Sequence, residues 1–459
     1  YAIDLKKNTG NTVTDNYLVA KKFHGNKAVS YSNSNNVVEN NLPLAEIIIT
    51  ADPVWIGSNG VVSVNVPNAT GTVTIEVNGK SYDVELDENG TATKEIPAAD
   101  LVAGENVVSA TYNGPEFDTS NNASSLYVLD GVVTQDTYMY YFNQDDNGRL
   151  FDYVPEGATL DFQGRIINPD QSAKLFFDVS KPVNIVSTTD DAYVDLNTTA
   201  GSLSGDNPGN RFAVSNGGSG TNVTGITFHN TQLWLTNTHN VVLDNISAIV
   251  EDQRVGSGVG ATSIRDNSTF VTVKNSYFYT KNNGGSSSLV LAWATNCLWE
   301  NNTIEVVGNV GNMLYLNTFN VNVPEGVIAN QFNVIRNNVI YSPNSASAIC
   351  WGIVINGQDN LVENNTVYYK GVGIAAAFGG ASTNNVYVGN KLYNGSGIGG
   401  MGSFTGCTFN DNYVSGSASV GADCELYNNT IDGKVTLRGA NIVASDNIIN
   451  NAVTISSSN

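Results

Sequence analysis

One short frame recurs along the chain: an apolar residue, two further residues, asparagine, one residue, and an apolar residue. It stands at Trp299-Glu300-Asn301-Asn302-Thr303-Ile304, Ile335-Arg336-Asn337-Asn338-Val339-Ile340, Val362-Glu363-Asn364-Asn365-Thr366-Val367 and Leu426-Tyr427-Asn428-Asn429-Thr430-Ile431, with looser copies around Asn245, Asn275, Asn390, Asn412 and Asn447. Successive copies are 30, 27, 36, 27, 25, 22, 17 and 18 residues apart. Self-similarity at such a period, carried by short β-rich words, is the signature of a solenoid. Val, Ile, Thr, Tyr and Phe flank each asparagine, so a repeat reads as strand, bend, strand. Asparagine suits the bend because it tolerates left-handed backbone angles, and its amide both donates and accepts. Stacked copies then form a ladder from coil to coil. The expected fold is all-β: a right-handed parallel β-helix over 157–459, with uneven steps absorbed by projecting loops such as 256–267 and 317–331.

Residues 45–130 break the pattern. Alternating strands at 61–66, 72–77, 81–86 and 106–112 are punctuated by Asn78-Gly79, Asn89-Gly90 and Asn113-Gly114, and Asn-Gly between alternating runs is a strong hairpin signal. This predicts an immunoglobulin-like β-sandwich, held by packing alone because it has no cysteine. Upstream, in 1–44, the ladder frame returns at Asn16 and Asn41, 25 residues apart. Two coils cannot bury a core, so they are expected to end an upstream β-helix or to complete a neighbouring copy. The aromatic stretch 131–156, with Tyr138, Tyr140, Tyr141, Phe142, Phe151 and Tyr153, reads as a cap over the open sheet edges at the start of the main helix.

Charge narrows the partners. Only 14% of residues are charged, yet the formal net charge is −21, and an acidic surface without a basic stripe repels nucleic acid. No apolar run is long enough to span a bilayer, and no secretion signal stands at Tyr1. Eleven Asn-x-Ser/Thr triplets, including Asn68, Asn89, Asn122, Asn197, Asn222 and Asn267, fit an exposed, secreted glycoprotein. Cys297, Cys407 and Cys424 each precede a ladder asparagine by five residues and therefore share one column. Neighbouring strands lie within disulfide reach, but buried thiols filling core space are the expectation, and Cys350 stands apart.

The strings Thr221-Asn-Val-Thr-Gly-Ile-Thr-Phe-His-Asn230, Asn360-Leu-Val-Glu-Asn-Asn-Thr-Val367 and Gly104-Glu-Asn-Val-Val-Ser-Ala-Thr-Tyr-Asn113, in this order of modules, resemble the adhesin-like proteins of methanogenic archaea. Those are large surface proteins that mix pectin-lyase-like β-helices with bacterial-immunoglobulin-like repeats. The resemblance covers essentially the whole chain and implies architecture and a cell-surface location. It says little about a ligand.

β-Helices also carry polysaccharide lyases and hydrolases. Such enzymes need carboxylates converging on calcium with a base, or grouped over one face. The acidic pair Asp190-Asp191 lies in a Thr-rich turn and reads as a solvated loop. Glu251, Asp252 and Arg254, with Arg265 and Asp266, bring acids and bases near one coil and form a candidate ion or sugar site, or a surface ion-pair cluster. His24, His229 and His239 lie in separate coils or modules. Ladder positions carry amides where an enzyme would need acids. Trp234, Trp293, Trp299 and Trp351 are read as core or cap packing, with sugar stacking as the alternative. No pattern calls for a metal or a cofactor, and a structural calcium stays open. The expected function is a non-catalytic extracellular rod attaching to other cell surfaces or glycans. The alternatives are a head-to-tail filament, in which 1–43 stack on the last coil of the next copy, and a pectin-lyase-like polysaccharide lyase or hydrolase.

Overall fold

The computed structural model describes residues 3–4, 9–14, 29–30, 37–39, 44–169, 175–197, 210–251, 262–282, 287–308, 312–317, 323, 325–342, 351–376 and 380–456. The chain divides into two compact units, Tyr1–Asp130 and Gly131–Asn459.

In the second unit each repeat folds into a coil of three short strands, and each coil lays its strands in register on those of the coil before. The first sheet has 13 strands, from Val132–Val133 to Val443–Ser445. The second has 12, from Arg165–Ile167 to Ile448–Ile449, and the third has 14, from Phe142–Asn143 to Val453–Ser456. Pairing is parallel apart from the opening hairpin Phe142–Asn143 with Arg149–Leu150. This is a parallel β-helix, about 60 Å long at the ~4.8 Å spacing of strands. Because side chains alternate along a strand, the middle residue of each first-sheet strand points inward. Val273, Trp299, Ile335, Val362, Tyr387, Phe409 and Leu426 stack in register as one buried column.

The bend between the first and second sheets uses two residues, and each makes its own demand. The first adopts the left-handed conformation: Gly225, Asn245, Asn275, Asn301, Asn337, Asn364, Gly389, Asp411, Asn428 and Asp446 have φ between 53° and 76°. These are the residue types that occupy it at least steric cost. The second residue turns inward and forms the ladder. Asn338 accepts at Oδ1 from the backbone N–H and the amide of Asn302, both at 3.0 Å, and donates to Trp299 O at 3.1 Å and Asn365 Oδ1 at 2.9 Å. The full capacity of a buried amide is thereby used. The ladder continues through Asn365, Asn390, Asn412, Asn429 and Asn447.

Asn245 and Asn275, expected in that ladder, are not in it. Both are exposed and hold the left-handed position, while Ile246 and Ser276 take the inward place. Ser276 Oγ accepts from Ile246 N at 3.1 Å, and Ser276 N donates to Asn302 Oδ1 at 3.0 Å. Where the inward residue is Ile or Ser, as at Asn245-Ile246 and Asn275-Ser276, asparagine serves only the left-handed position, whereas at Gly389-Asn390, Asp411-Asn412 and Asp446-Asn447 Gly or Asp serves it and asparagine joins the ladder. Asn16 and Asn41 lie outside the described residues.

A second amide ladder, not foreseen from the sequence, runs along the bend between the third and first sheets. Asn333, Asn360 and Asn385 are buried there, with Asn333 donating to Asn360 at 3.1 Å and Asn360 to Asn385 at 2.9 Å. Cys297 N donates to Asn333 Oδ1 at 2.9 Å. Cys297, Cys407 and Cys424 are buried free thiols, so this column is filled by amides in its middle and by thiols toward both ends. Cys350 lies outside the described residues.

At the start of the helix, Tyr141 and Phe142 are buried, and Phe142 stacks on Phe177 at 4.7 Å. Lys181 pins the connecting loop by donating its ammonium to the carbonyls of Phe151, Asp152 and Val154 at 2.9, 2.9 and 3.0 Å. In the last described coil, Ile448, Val453 and Ile455 are exposed.

The first unit contains a two-sheet sandwich. Ile48–Ala51, Gly60–Asn65 and Thr91–Ile96 form one sheet; Val54–Trp55, Asn121–Leu129, Gly104–Asn113, Thr72–Val77 and Lys80–Glu85 form the other. Val62, Val64, Val73, Ile75, Val108, Ala110 and Leu126 fill the space between them. The three Asn-Gly pairs act differently. Asn78-Gly79 makes a two-residue hairpin, with Val77 opposite Lys80. Asn89-Gly90 instead carries the chain across to the other sheet, with Asp87 accepting from Asn89 N and Thr91 N. Asn113-Gly114 opens a longer loop that returns at Asn121. Upstream, Ile3–Asp4 pairs with Val29–Ser30 and Thr12–Thr14 with Val37–Glu39, both in parallel.

Candidate functional site

Because the interior of the β-helix is filled by side chains, chemistry is confined to outward-facing residues, and these stack in columns as strictly as the core does. On the first sheet the outward column alternates in sign over five successive coils. Lys274 pairs with Asp244 at 3.3 Å, and Arg336 pairs with Glu300 at 2.7 Å and Glu363 at 3.7 Å. Each of the three acids there lies against a base, with Arg336 shared by Glu300 and Glu363, which leaves no unpaired carboxylate among these five residues.

The second sheet is different. The residue three places after each ladder position points outward, and in register these are His229, Ile249, Tyr279, Glu305, Tyr341, Tyr368 and Tyr393. Tyr277 and Tyr413 join the same face from the neighbouring column. Tyr368 and Tyr393 stack at 5.1 Å, and Tyr393 meets Tyr413 at 5.3 Å. Tyr368 is 46% exposed. Carboxylates stand between the rings. Glu305 Oε2 accepts from the phenols of Tyr277 and Tyr341, both at 2.7 Å, and Asp432 Oδ2 accepts from Tyr413 at 2.8 Å. The bond to Glu305, with burial, pushes the Tyr341 phenol up to about 12. Burial and the same carboxylate move Tyr277 well above the ordinary phenol range. The Tyr277 and Tyr341 phenols therefore stay neutral and are braced through their hydroxyls, while Tyr368 and Tyr393 stack on each other.

Toward the start of the helix the stripe ends in a braced cluster. His229 Nδ1 lies 2.9 Å from Asp195 and Nε2 lies 3.3 Å from Glu251. The imidazole stacks on Tyr193 at 5.1 Å, and Arg165 lies over the same Tyr193 ring at 5.7 Å. The hydrogen bond to Asp195 outweighs burial and raises the His229 pKa, so the ring favours the imidazolium that bridges two carboxylates.

Of the acids and bases expected near one coil, Arg265 and Asp266 lie 4.0 Å apart. Glu251 belongs to the His229 cluster outside the second sheet. Arg265 and Asp266 lie on a strand of the third sheet, against Trp234 and Thr236. Asp252 and Arg254 lie outside the described residues, as does His24. Asp190 and Asp191 sit exposed in a turn, and His239 bonds Thr269 at 2.7 Å. Trp299 is core, Trp351 and Trp234 are buried, and Trp293 is half-buried. Among the triplet asparagines, Asn68, Asn89, Asn122, Asn222 and Asn267 are exposed and Asn197 is half-buried. The Asn122 amide donates to Ile47 O at 2.7 Å. A cavity of about 360 Å³ near the C-terminal coils is lined largely by glycine and small residues, with Arg438 as its charged group. Among the described residues no group of three or more His, Cys, Asp or Glu is placed to hold a metal ion.

The tyrosine stripe escaped the sequence reading although its signal was present. Asn338, Asn365 and Asn390 are each followed three residues later by tyrosine, at Tyr341, Tyr368 and Tyr393. The ladder frame fixed which residues bend inward, and the third residue beyond it was not followed.

No known family's sequence pattern matches the chain, and no curated protein matches it. Among solved structures it is similar to the catalytic unit of a thermostable GH87 alpha-1,3-glucanase from Streptomyces thermodiastaticus, at 14% identity and TM-score 0.30, covering 90% of this chain and 89% of that one. It is also similar to PfbA, a surface adhesin of Streptococcus pneumoniae, at 12% identity and TM-score 0.37, covering 68% and 82%. Likenesses this distant carry no argument about activity, and the fold stands on its own strand pairing.

Proposed function

We propose that this chain is a non-catalytic, extracellular, adhesin-like rod that attaches to glycans on other cell surfaces through the outward face of its second sheet. The observation that carries this reading is the stripe of tyrosines from Tyr277 to Tyr413, braced by Glu305 and Asp432. The exposed outer parts of these rings, Tyr368 most of all, offer apolar surface to sugar rings, and carboxylates beside them accept from sugar hydroxyls. Coils repeat every ~4.8 Å, close to the length of one sugar unit in an extended chain, so successive sugars can meet equivalent positions. An acidic surface excludes nucleic acid as the partner, and the exposed Asn-x-Ser/Thr triplets suit a secreted surface protein.

A glycoside hydrolase needs one protonated acid and one carboxylate with space for substrate and water between them. At Asp195 and Glu251 an imidazole stands between the two acids and bonds both. Affinity electrophoresis on neutral and acidic polysaccharides, run alongside a reducing-end assay, tests the reading. Retardation by at least one polysaccharide is expected, without product release, and loss of it in a Tyr341→Ala, Tyr368→Ala, Tyr393→Ala variant. Release of sugar ends, or unchanged retardation in that variant, contradicts it.

A further inference from the structure

The outward face of the third sheet carries an arrangement that the tyrosine stripe does not use. Trp234 stands on the strand Gln232–Thr236. Arg211 from the coil before and Arg265 from the coil after both lie over its ring, with Cζ 4.5 and 5.0 Å from the centroid. Strand register fixes this placement, with Arg211 opposite Gln232 and Thr236 opposite Arg265. A guanidinium stacked on an indole engages through its flat face and keeps its N–H edges for contacts in its own plane.

Those edges are incompletely used. Arg265 Nε is buried without a hydrogen-bond partner. The carboxylate oxygen beside it, Asp266 Oδ2, is 4.0 Å away and already accepts from Thr236 at 2.8 Å. Asp178, one strand beyond Arg211, has a buried oxygen, Oδ1, that is likewise unpartnered. Burial lowers the pKa of Arg211, and Arg265 adds to that effect while Asp178 opposes it. Arg149 stands in register with Asp178. Arg149 also lies 4.0 Å from Asp146, so three arginines here face three aspartates, and it is the close approach of Arg211 and Arg265 around one ring that concentrates positive charge. Two like charges around one ring and a stranded donor both cost stability. An anion with two acceptor oxygens at the remaining N–H edges offsets the like charges.

We propose that Arg211 and Arg265, held flat against Trp234, bind the oxyanion of an acidic glycan, a uronate carboxylate or a sulfate ester. The inference rests on the glycan-binding reading but uses a different sheet, so the two fail separately. Planar guanidinium forks suit a carboxylate or sulfate better than an ammonium does.

The test is calorimetric titration of the full chain with three probes of matched length: oligogalacturonate, chondroitin sulfate oligosaccharide and a neutral glucan oligosaccharide. At least one acidic probe is expected to bind, and the carboxylate and sulfate arms identify which oxyanion is taken. Arg211→Gln with Arg265→Gln is expected to weaken the acidic probe about tenfold or more, the scale of one charge-assisted pair. The neutral probe is left unchanged by that pair and is weakened by Tyr368→Ala with Tyr393→Ala. Arg265→Lys, which keeps the charge and loses the fork, is expected to weaken the acidic probe as well and serves where the double variant does not fold. Absence of acidic binding to the unmodified chain, or equal acidic binding by the glutamine and lysine variants, overturns the proposal. Loss of neutral binding alone would leave it standing and defeat the tyrosine-stripe reading instead.

Discussion

Asn338 shows at the scale of one residue why this chain repeats asparagine and not aspartate. Its amide accepts twice and donates twice, and all four partners belong to buried neighbours. Aspartate is nearly the same shape but has no donor, so Asn338→Asp would set an oxygen against Trp299 O and Asn365 Oδ1 and bury an unpaired charge. A loss of about 3–5 kcal/mol is expected from denaturant unfolding. The sign with pH follows from burial. A buried carboxyl has its folded pKa raised, so the loss is smallest at low pH, where the group is protonated, and grows as pH rises through that pKa. A variant within about 0.5 kcal/mol of the parent at neutral pH, the usual range for a surface change, would show that the ladder is not structural.

At the scale of elements, the bends explain what could and could not be read in the sequence. Where the frame carries Asn-Asn, as at Asn301-Asn302, its two requirements coincide in one visible word and the coil is legible. Where it carries Asn-Ile or Asn-Ser, at Asn245 and Asn275, one letter answers two different demands, and only backbone angles decide which. The second ladder was hidden because cysteine, asparagine and apolar residues share its column, so no single residue type recurs. The stripe repeats visibly only at Tyr341, Tyr368 and Tyr393, because outward positions obey no packing constraint and other coils carry His229, Ile249 or Glu305 there. In the sandwich, the corner after Gly104–Asn113 is tied by Glu116, which accepts from the Thr70 hydroxyl at 2.5 Å and from Tyr112 at 2.6 Å. These bonds hold the Glu116 carboxyl at about 2, below its ordinary 4.5. For a depressed acid, the stabilisation is full above the ordinary pKa and disappears as pH falls through the folded one. Stability of the sandwich, followed in the full chain by amide hydrogen-exchange protection of the strand Gly104–Asn113, should therefore fall between about pH 4.5 and pH 2. Glu116→Gln should flatten that fall, and an unaltered profile would remove Glu116 from the account.

At the scale of the β-helix as a whole, three sheets stacked from the same coils present three different surfaces. The first carries a run of alternating charge, the second a tyrosine stripe with braced carboxylates, and the third a tryptophan held between arginines. A solenoid allows this because each outward column is free to change while the inward columns hold the stack. The central claim is that the stripe is a continuous track for an extended glycan, each coil meeting one more sugar. Isothermal titration with neutral oligosaccharides of increasing length, from a polysaccharide that the chain retards, addresses it most directly. Affinity should climb with each added sugar until the chain spans Tyr277 to Tyr413 and then level off. Affinity that is already level at one or two sugars, or that climbs identically in the Tyr341→Ala, Tyr368→Ala, Tyr393→Ala variant, would contradict a track on this face.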